Sequence, residues 1–220
     1  MEDAYILGHV DHTLLKATAT WEEISVLCDE AIRYKTASVC VPPYYISRIR
    51  AAYPDLNICT VIGFPLGYDA AATKITAART ALEDGADELD MVVNITDVKN
   101  GAYEQIKNEI SDLKKIAGNR ILKVIVETCY LEEPEKVALC RAVTDAGADY
   151  IKTSTGFGTG GATMEDVLLF KANIGPGVKI KASGGIRTRE DMQAYIEAGC
   201  SRLGTSSAIA ILTEGAGKGY

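Results

Sequence analysis

The sequence predicts an α/β protein, a single-domain (β/α)8 TIM barrel, and three observations carry that prediction. Strand-like and helix-like runs alternate along the chain, the joints between them repeat one glycine-closed pattern, and the strand-like runs separate an apolar face from a charged one. At 220 residues and 47% hydrophobic, the chain can bury one large core, and no shift in composition marks a linker. One domain over residues 1–220 is expected, with a flexible tail at about 213–220 that ends GAGKGY.

The elements follow in order. The strand VDHTLL (10–15) precedes the helix TWEEISVLCDEAIRYK (20–35), ASVCV (37–41) precedes YYISRIRAAY (44–53), and ICTVIG (58–63) precedes AATKITAARTALEDG (71–85). Next come ELDMVVN (88–94) with AYEQIKNEISDLKKIAG (102–118), ILKVIVET (121–128) with EPEKVALCRAVTDAG (133–147), and YIKTST (150–155) with TMEDVLLFKANI (163–174). VKIKAS (178–183) with TREDMQAYIEAG (188–199), then SRLGTSS (201–207) with AIAILTE (208–214), complete the series. The strand runs are short and rich in β-branched residues, and the helical runs are amphipathic. Strict alternation demands parallel strands with helical crossovers, and eight such units close a barrel.

Four joints, EDGADELD, IAGNRILK, DAGADYIK and EAGCSRLG, end a helix in glycine, where the positive φ of a C-terminal cap is cheap. Five residues beyond those glycines stand Asp90, Lys123, Lys152 and Gly204. Alternate strands share an interior layer, so Asp90, Lys152 and Gly204, on the fourth, sixth and eighth strands, are expected to face one another.

Period-two alternation sets Leu89, Met91 and Val93 against Glu88 and Asp90, and Leu122, Val124 and Val126 against Lys123 and Glu127. Ile151 likewise opposes Lys152, and Val178 and Ile180 oppose Lys179 and Lys181. The apolar face suits the helix ring, which sends Glu88, Asp90, Lys123, Glu127, Lys152, Lys179, Lys181 and Arg202 into the barrel. An unpaired buried ion costs several kcal/mol, so this many charges require mutual pairing and a reason. For Glu88, Lys179 and Arg202, early in their strands, a structural network is reason enough. Asp90, Lys152 and Lys181 come later, toward the C-terminal mouth where barrel enzymes keep their chemistry.

Lysine has a free pKa of about 10.4 and is a poor nucleophile at neutral pH unless burial or a neighbouring cation lowers that value. Lys152 and Lys181 offer that arrangement, each acting on the other. A neutral lysine adds to a carbonyl to give an imine whose protonated form draws electrons from the α-carbon, while Asp90 moves protons. Either lysine suits the role on the residues alone. Such chemistry needs no metal and no cofactor. The only two histidines, His9 and His12, leave a three-histidine zinc site out of reach.

A second feature lies at the end of the barrel. Ser183-Gly184-Gly185-Ile186-Arg187 follows the seventh strand, and Gly204-Thr205-Ser206-Ser207 runs into the last helix. Glycines let backbone N–H groups approach an oxyanion, hydroxyls add donors, and barrels commonly hold phosphate in these two loops. Gly156-Phe157-Gly158-Thr159-Gly160-Gly161 satisfies G-x-G-x-x-G after a strand. A dinucleotide site also wants an acid about twenty residues on, where this chain reads VKIKAS.

The net charge of −7 argues against nucleic acid or an anionic membrane surface as partner. The acidic start MEDAYILG has no basic or long apolar run, and a cytoplasmic protein is expected. Six cysteines without a C-x-x-C pair read as reduced thiols, and the sequon at Asn94 carries no weight without a signal peptide.

Taken in order, DHTLLK, SVCVPP, GFPLG, GADELDMVVN, LKVIVET, ADYIKTSTGF, KASGGIRT and RLGTSS resemble the deoxyribose-phosphate aldolase family along nearly the whole chain. The resemblance implies an imine-forming aldolase that reversibly cleaves 2-deoxy-D-ribose 5-phosphate into acetaldehyde and D-glyceraldehyde 3-phosphate. It makes Lys152 the imine-forming residue, Lys181 the perturbing lysine and Asp90 a proton relay acting through water. It implies substrate contacts at Asp11, Thr13, Cys40, Lys123 and Thr155. For phosphate it implies Gly156, Gly184, Gly185, Gly204, Ser206 and Ser207, with Arg187 compensating where some members carry a lysine and this chain has Phe157. Some members bring a C-terminal tyrosine into the site, which makes Tyr220 a candidate, and pairing as a homodimer is expected. The rivals are another imine-forming barrel with a different acceptor pocket, a phosphosugar isomerase centred on Glu127, and a non-catalytic phosphate-binding barrel. Cys40, near the mouth, is expected to be a packed thiol or a target for unsaturated aldehydes.

Overall fold

The structure, a computed structural model, describes residues 1–214, so Tyr220 and the tail from 215 onward lie outside the described residues. Eight parallel strands close one barrel in chain order. They are β1 Val10–Thr13, β2 Ser38–Val41, β3 Ile58–Ile62, β4 Glu88–Val92, β5 Ile121–Ile125, β6 Tyr150–Lys152, β7 Lys179–Ser183 and β8 Cys200–Thr205. The surrounding helices are α1 Asp3–Leu7, α2 Trp21–Tyr34, α3 Ile46–Ala52, α4 Ala71–Glu83, α5 Ile95–Lys99, α6 Tyr103–Ala117, α7 Glu133–Asp145, α8 Met164–Asn173, α9 Arg189–Ala198 and α10 Ala208–Glu214.

Local chemistry explains the boundaries. Thr20 and Glu23 form a capping box on α2, Thr163 caps α8, and Thr188 with Asp191 caps α9. The four joint glycines, Gly85, Gly118, Gly147 and Gly199, all hold positive φ. Two helices escaped the sequence reading. In α1, Ile6 and Leu7 are buried and Asp3 pairs with Arg189 at 2.9 Å. In α5, Asn94 accepts the Thr96 N–H at 3.0 Å, which gives the sequon asparagine a capping role.

The two faces of the sheet separate as expected. Leu89, Met91, Val93, Leu122, Val124, Val126, Ile151 and Ile180 join the main core beneath the helices. A second, small apolar cluster of Leu15, Cys40, Cys59 and Val61, with Phe64 against it, is separate from that core. The expected inward run of charges needs one correction: Lys179, the first residue of β7, is exposed, its ammonium 5.7 Å from the centre of the Tyr150 ring. It stands at the barrel's N-terminal end, where water reaches the strand start. Strand β6 is also shorter than its sequence run, because Thr155 leaves the ladder to bond Glu127.

Candidate active site

Register and strand tilt bring the late-strand charges together. Lys152 on β6 pairs in register with Lys181 on β7, and Lys181 with Arg202 on β8. Asp90 on β4 lies beside Lys123 on β5. A single oxygen, Asp90 Oδ2, accepts from Lys152 Nζ at 2.7 Å and from Lys181 Nζ at 2.7 Å. The two nitrogens are therefore no farther apart than twice that distance. Asp90 Oδ1 accepts from Lys123 Nζ at 2.9 Å and lies 3.2 Å from Cys59 Sγ.

Below this point the network continues. Lys181 also pairs with Asp11, Lys123 approaches Glu88 at 2.5 Å and Asp11 at 3.5 Å, and Arg202 bridges Asp11 to Glu88. Ser38 donates to Asp11 at 2.8 Å and Asn57 to Glu88 at 2.8 Å. Every member has a partner, which is the condition for charges at this depth. Gly204 makes room here, since a Cβ on it would lie 2.8 Å from Ser183 Cβ and 3.1 Å from Lys181 Cε.

The electrostatics of the floor are dominated by its ion pairs. Burial disfavours the charged form of Lys181, but Asp11 and Asp90 outweigh it and hold its pKa above the ordinary lysine value. Lys181 is thereby held as a cation. Lys123 is likewise raised, burial being overcome by Asp11 and Asp90. Burial pushes Asp11 and Asp90 up, yet the surrounding cations hold both well below the usual carboxylate range.

A cavity of about 650 Å³ opens above the network. Lys152 lines it, together with Thr13, Thr155, Gly156, Gly184, Gly185, Arg187, Gly204, Ser206 and Ser207. Lys181 does not line it and is fully buried. Asp11, Lys123 and Cys40, expected as substrate contacts, are also fully buried and absent from the lining. They support the floor because their side chains are consumed by ion pairs or packed in the small apolar cluster. An amine at the inner end of a cavity, beside a carboxylate and a second ammonium, is placed to add to a carbonyl.

One polypeptide family unites this geometry with the sequence. A model of the DeoC/LacD family aldolases matches residues 6–215. The chain belongs to that family. It is 62% identical over its whole length, and the relative's, to a deoxyribose-phosphate aldolase of Clostridium botulinum (strain Eklund 17B / Type B). A deoxyribose-phosphate aldolase of Clostridioides difficile (strain 630) is 56% identical over 94% of this chain and 95% of its own. Among solved structures, the tetrameric deoxyribose phosphate aldolase from Aeropyrum pernix superposes with a TM-score of 0.90 at 34% identity, covering 96% of this chain and 91% of that one. As a DeoC/LacD aldolase the protein is a carbon–carbon lyase, which sets aside the isomerase and non-catalytic readings.

Cys40, Cys59 and Asp90, and Asp11, Cys59 and Glu88, converge closely enough to hold an ion, but lysine or arginine already engages each of these carboxylates. His9 bonds Tyr5 O at 2.8 Å and His12 bonds Glu30 at 2.8 Å, and neither lines the cavity. All six cysteines are free, and burial pushes the Cys28, Cys140 and Cys200 thiols up to about 12. Sequence reasoning missed Lys74 of α4, which is fully buried and donates to Val92 O at 2.9 Å and Glu109 at 3.0 Å, bracing the end of β4. Its signal, one lysine in an alanine-rich helix, looked like an ordinary solvated face.

Proposed function

We propose that the chain reversibly cleaves 2-deoxy-D-ribose 5-phosphate into acetaldehyde and D-glyceraldehyde 3-phosphate through an imine on Lys152. The observation that carries this reading is the asymmetry of the lysine pair: both ammoniums share Asp90 Oδ2, but only Lys152 lines the cavity. The substrate follows from the close relatives named for it.

The neutral amine of Lys152 adds to C1 of the open-chain sugar, and loss of water leaves a protonated imine. The 3-hydroxyl gives up its proton, the C2–C3 bond breaks, and its electron pair flows to the imine nitrogen as an enamine. Glyceraldehyde 3-phosphate leaves, C2 takes a proton, and water releases acetaldehyde and the amine. Asp90, held ionised, steadies the positive nitrogen and relays protons through water. Lys181 is the fixed cation that shares Asp90 Oδ2 with the reacting amine. Phosphate is held by the N–H groups of Gly156, Gly184 and Gly185 and by Gly204, Ser206 and Ser207, with Arg187 at the exposed edge.

The enzyme works in the cytoplasm as a homodimer on this reading, which sedimentation velocity checks; the Aeropyrum relative is described as a tetramer. Among the described residues no helix is long and apolar enough to cross a membrane. The decisive experiment is borohydride reduction with acetaldehyde followed by peptide mapping. An ethyl group on Lys152 is expected, and an unmodified protein or modification at Lys181 alone would overturn the mechanism.

A further inference from the structure

The glycine run 156–161, which satisfies a nucleotide motif without serving one, is built around a carboxylate that the mechanism leaves unused. Glu127, just beyond β5, is buried and adopts a left-handed backbone with φ 55° and ψ 65°. A non-glycine residue there is strained and is kept only where its surroundings hold it. The turn sends its side chain across to the end of β6. Oε1 accepts the Thr155 N–H at 3.1 Å, and Oε2 accepts the Thr155 hydroxyl. Thr155 Oγ1 in turn accepts the Phe157 N–H at 3.0 Å.

Two alternate N–H groups are thus engaged around Gly156, which lines the cavity with φ 86°. The Gly156 N–H has no partner among the described residues. The other glycines fit the same construction. A Cβ on Gly158 would lie 3.1 Å from Glu127 Cδ and 2.9 Å from Cys129 Sγ, and one on Gly161 would strike Gly184 O at 2.3 Å. The first glycine faces the cavity, the second makes room for the carboxylate, and the last lets this loop close on the Gly184 loop.

We propose that Glu127 is the positioning residue of the phosphate site, acting through Thr155 to aim the Gly156 N–H at the substrate's phosphate. This rests on the phosphate reading above and names what organises it. A free carboxylate at this rim would repel an anion; here Thr155 donates to both oxygens, and the Cys129 thiol lies 3.9 Å from Oε1, so the carboxylate is tied into the loop and acts through its shape.

The test compares 2-deoxyribose 5-phosphate with unphosphorylated 2-deoxyribose in the wild type, Glu127→Ala and Glu127→Gln. For Glu127→Ala, KM for the phosphorylated sugar should rise about tenfold, with kcat/KM for the unphosphorylated sugar and acetaldehyde trapping on Lys152 unchanged. Glu127→Gln keeps an acceptor for the Thr155 N–H and should fall between the two, and it serves alone should the alanine variant fail to fold. Equal losses on both sugars, or a preference for phosphate that survives in the variants, would overturn the positioning role. A wild type that does not prefer the phosphorylated sugar would instead sink the phosphate reading itself.

Discussion

The floor and the rim of the cavity handle charge in opposite ways. The floor packs Asp11, Glu88, Asp90, Lys123, Lys181 and Arg202 into an interior network in which each ion is paired. The rim is mostly glycine, serine and threonine, with Leu15, Phe157 and Ile186 among them, and Arg187, its one charged side chain among the described residues, is exposed. Fixed charge is effective where water is excluded, because the interaction is strong and nothing must reorganise. On the proposed function the rim binds and releases a phosphate on each turnover, and such a site gains more from neutral N–H and hydroxyl donors. Lys152 belongs to both regions, rooted in the network and open to the cavity.

The sharpest way to break the floor is at that shared residue. Lys152→Ala should lower kcat by about four orders of magnitude or more, since the covalent route is gone, while rim contacts persist. Steady-state assay with ligand-binding calorimetry checks both halves. Asp90→Asn comes next: kcat should fall about 10²–10⁴-fold, and removing the shared partner of three lysines should cost about 3–5 kcal/mol of stability. Reductive trapping should still label Lys152 in part.

The same variant sharpens the pH dependence of the floor. Asp11 and Asp90 are depressed in the folded state, so their contribution is present above about pH 4 and lost as pH falls through the folded values. Lys123 and Lys181 are raised, so theirs is present below about pH 10.4 and lost as pH rises toward the folded values. Melting temperature should hold a plateau between these limits in the wild type and a lower one in Asp90→Asn.

Lys181→Leu should lower kcat at neutral pH by about tenfold, since the fixed cation that shares Asp90 Oδ2 with the reacting amine is lost. An unchanged kcat would dissolve the division of labour between the lysines. The smallest effect belongs to the rim. Arg187→Ala should raise KM for the phosphorylated sugar by no more than about fivefold, and the difference should vanish at high salt, as for an exposed charge.

Much of this was readable along the chain. The alternation of elements, the cap glycines and the two-residue period that separates Met91 from Asp90, or Ile151 from Lys152, are properties of neighbouring residues, and local sterics and burial enforce them. The glycine-rich loops after β7 and β8 were legible for the same reason. The short helices α1 and α5 were not, since five residues are too few to display a period. Lys179 failed because alternation fixes a face but not a height along the barrel axis.

Rules that act along the chain were enough for the barrel, its inward charges and the loops that crown it. Which of two lysines opens to the cavity emerges only once the barrel has closed. Asp90 is 62 residues from Lys152 and 91 from Lys181, and all three share one oxygen because strand register and tilt bring distant positions to one depth. The same closure covers Lys181, leaves Lys152 open and ties the Glu127 carboxylate to Thr155. Pairing across a closed sheet depends on all eight strands at once, so no single stretch of chain could encode it.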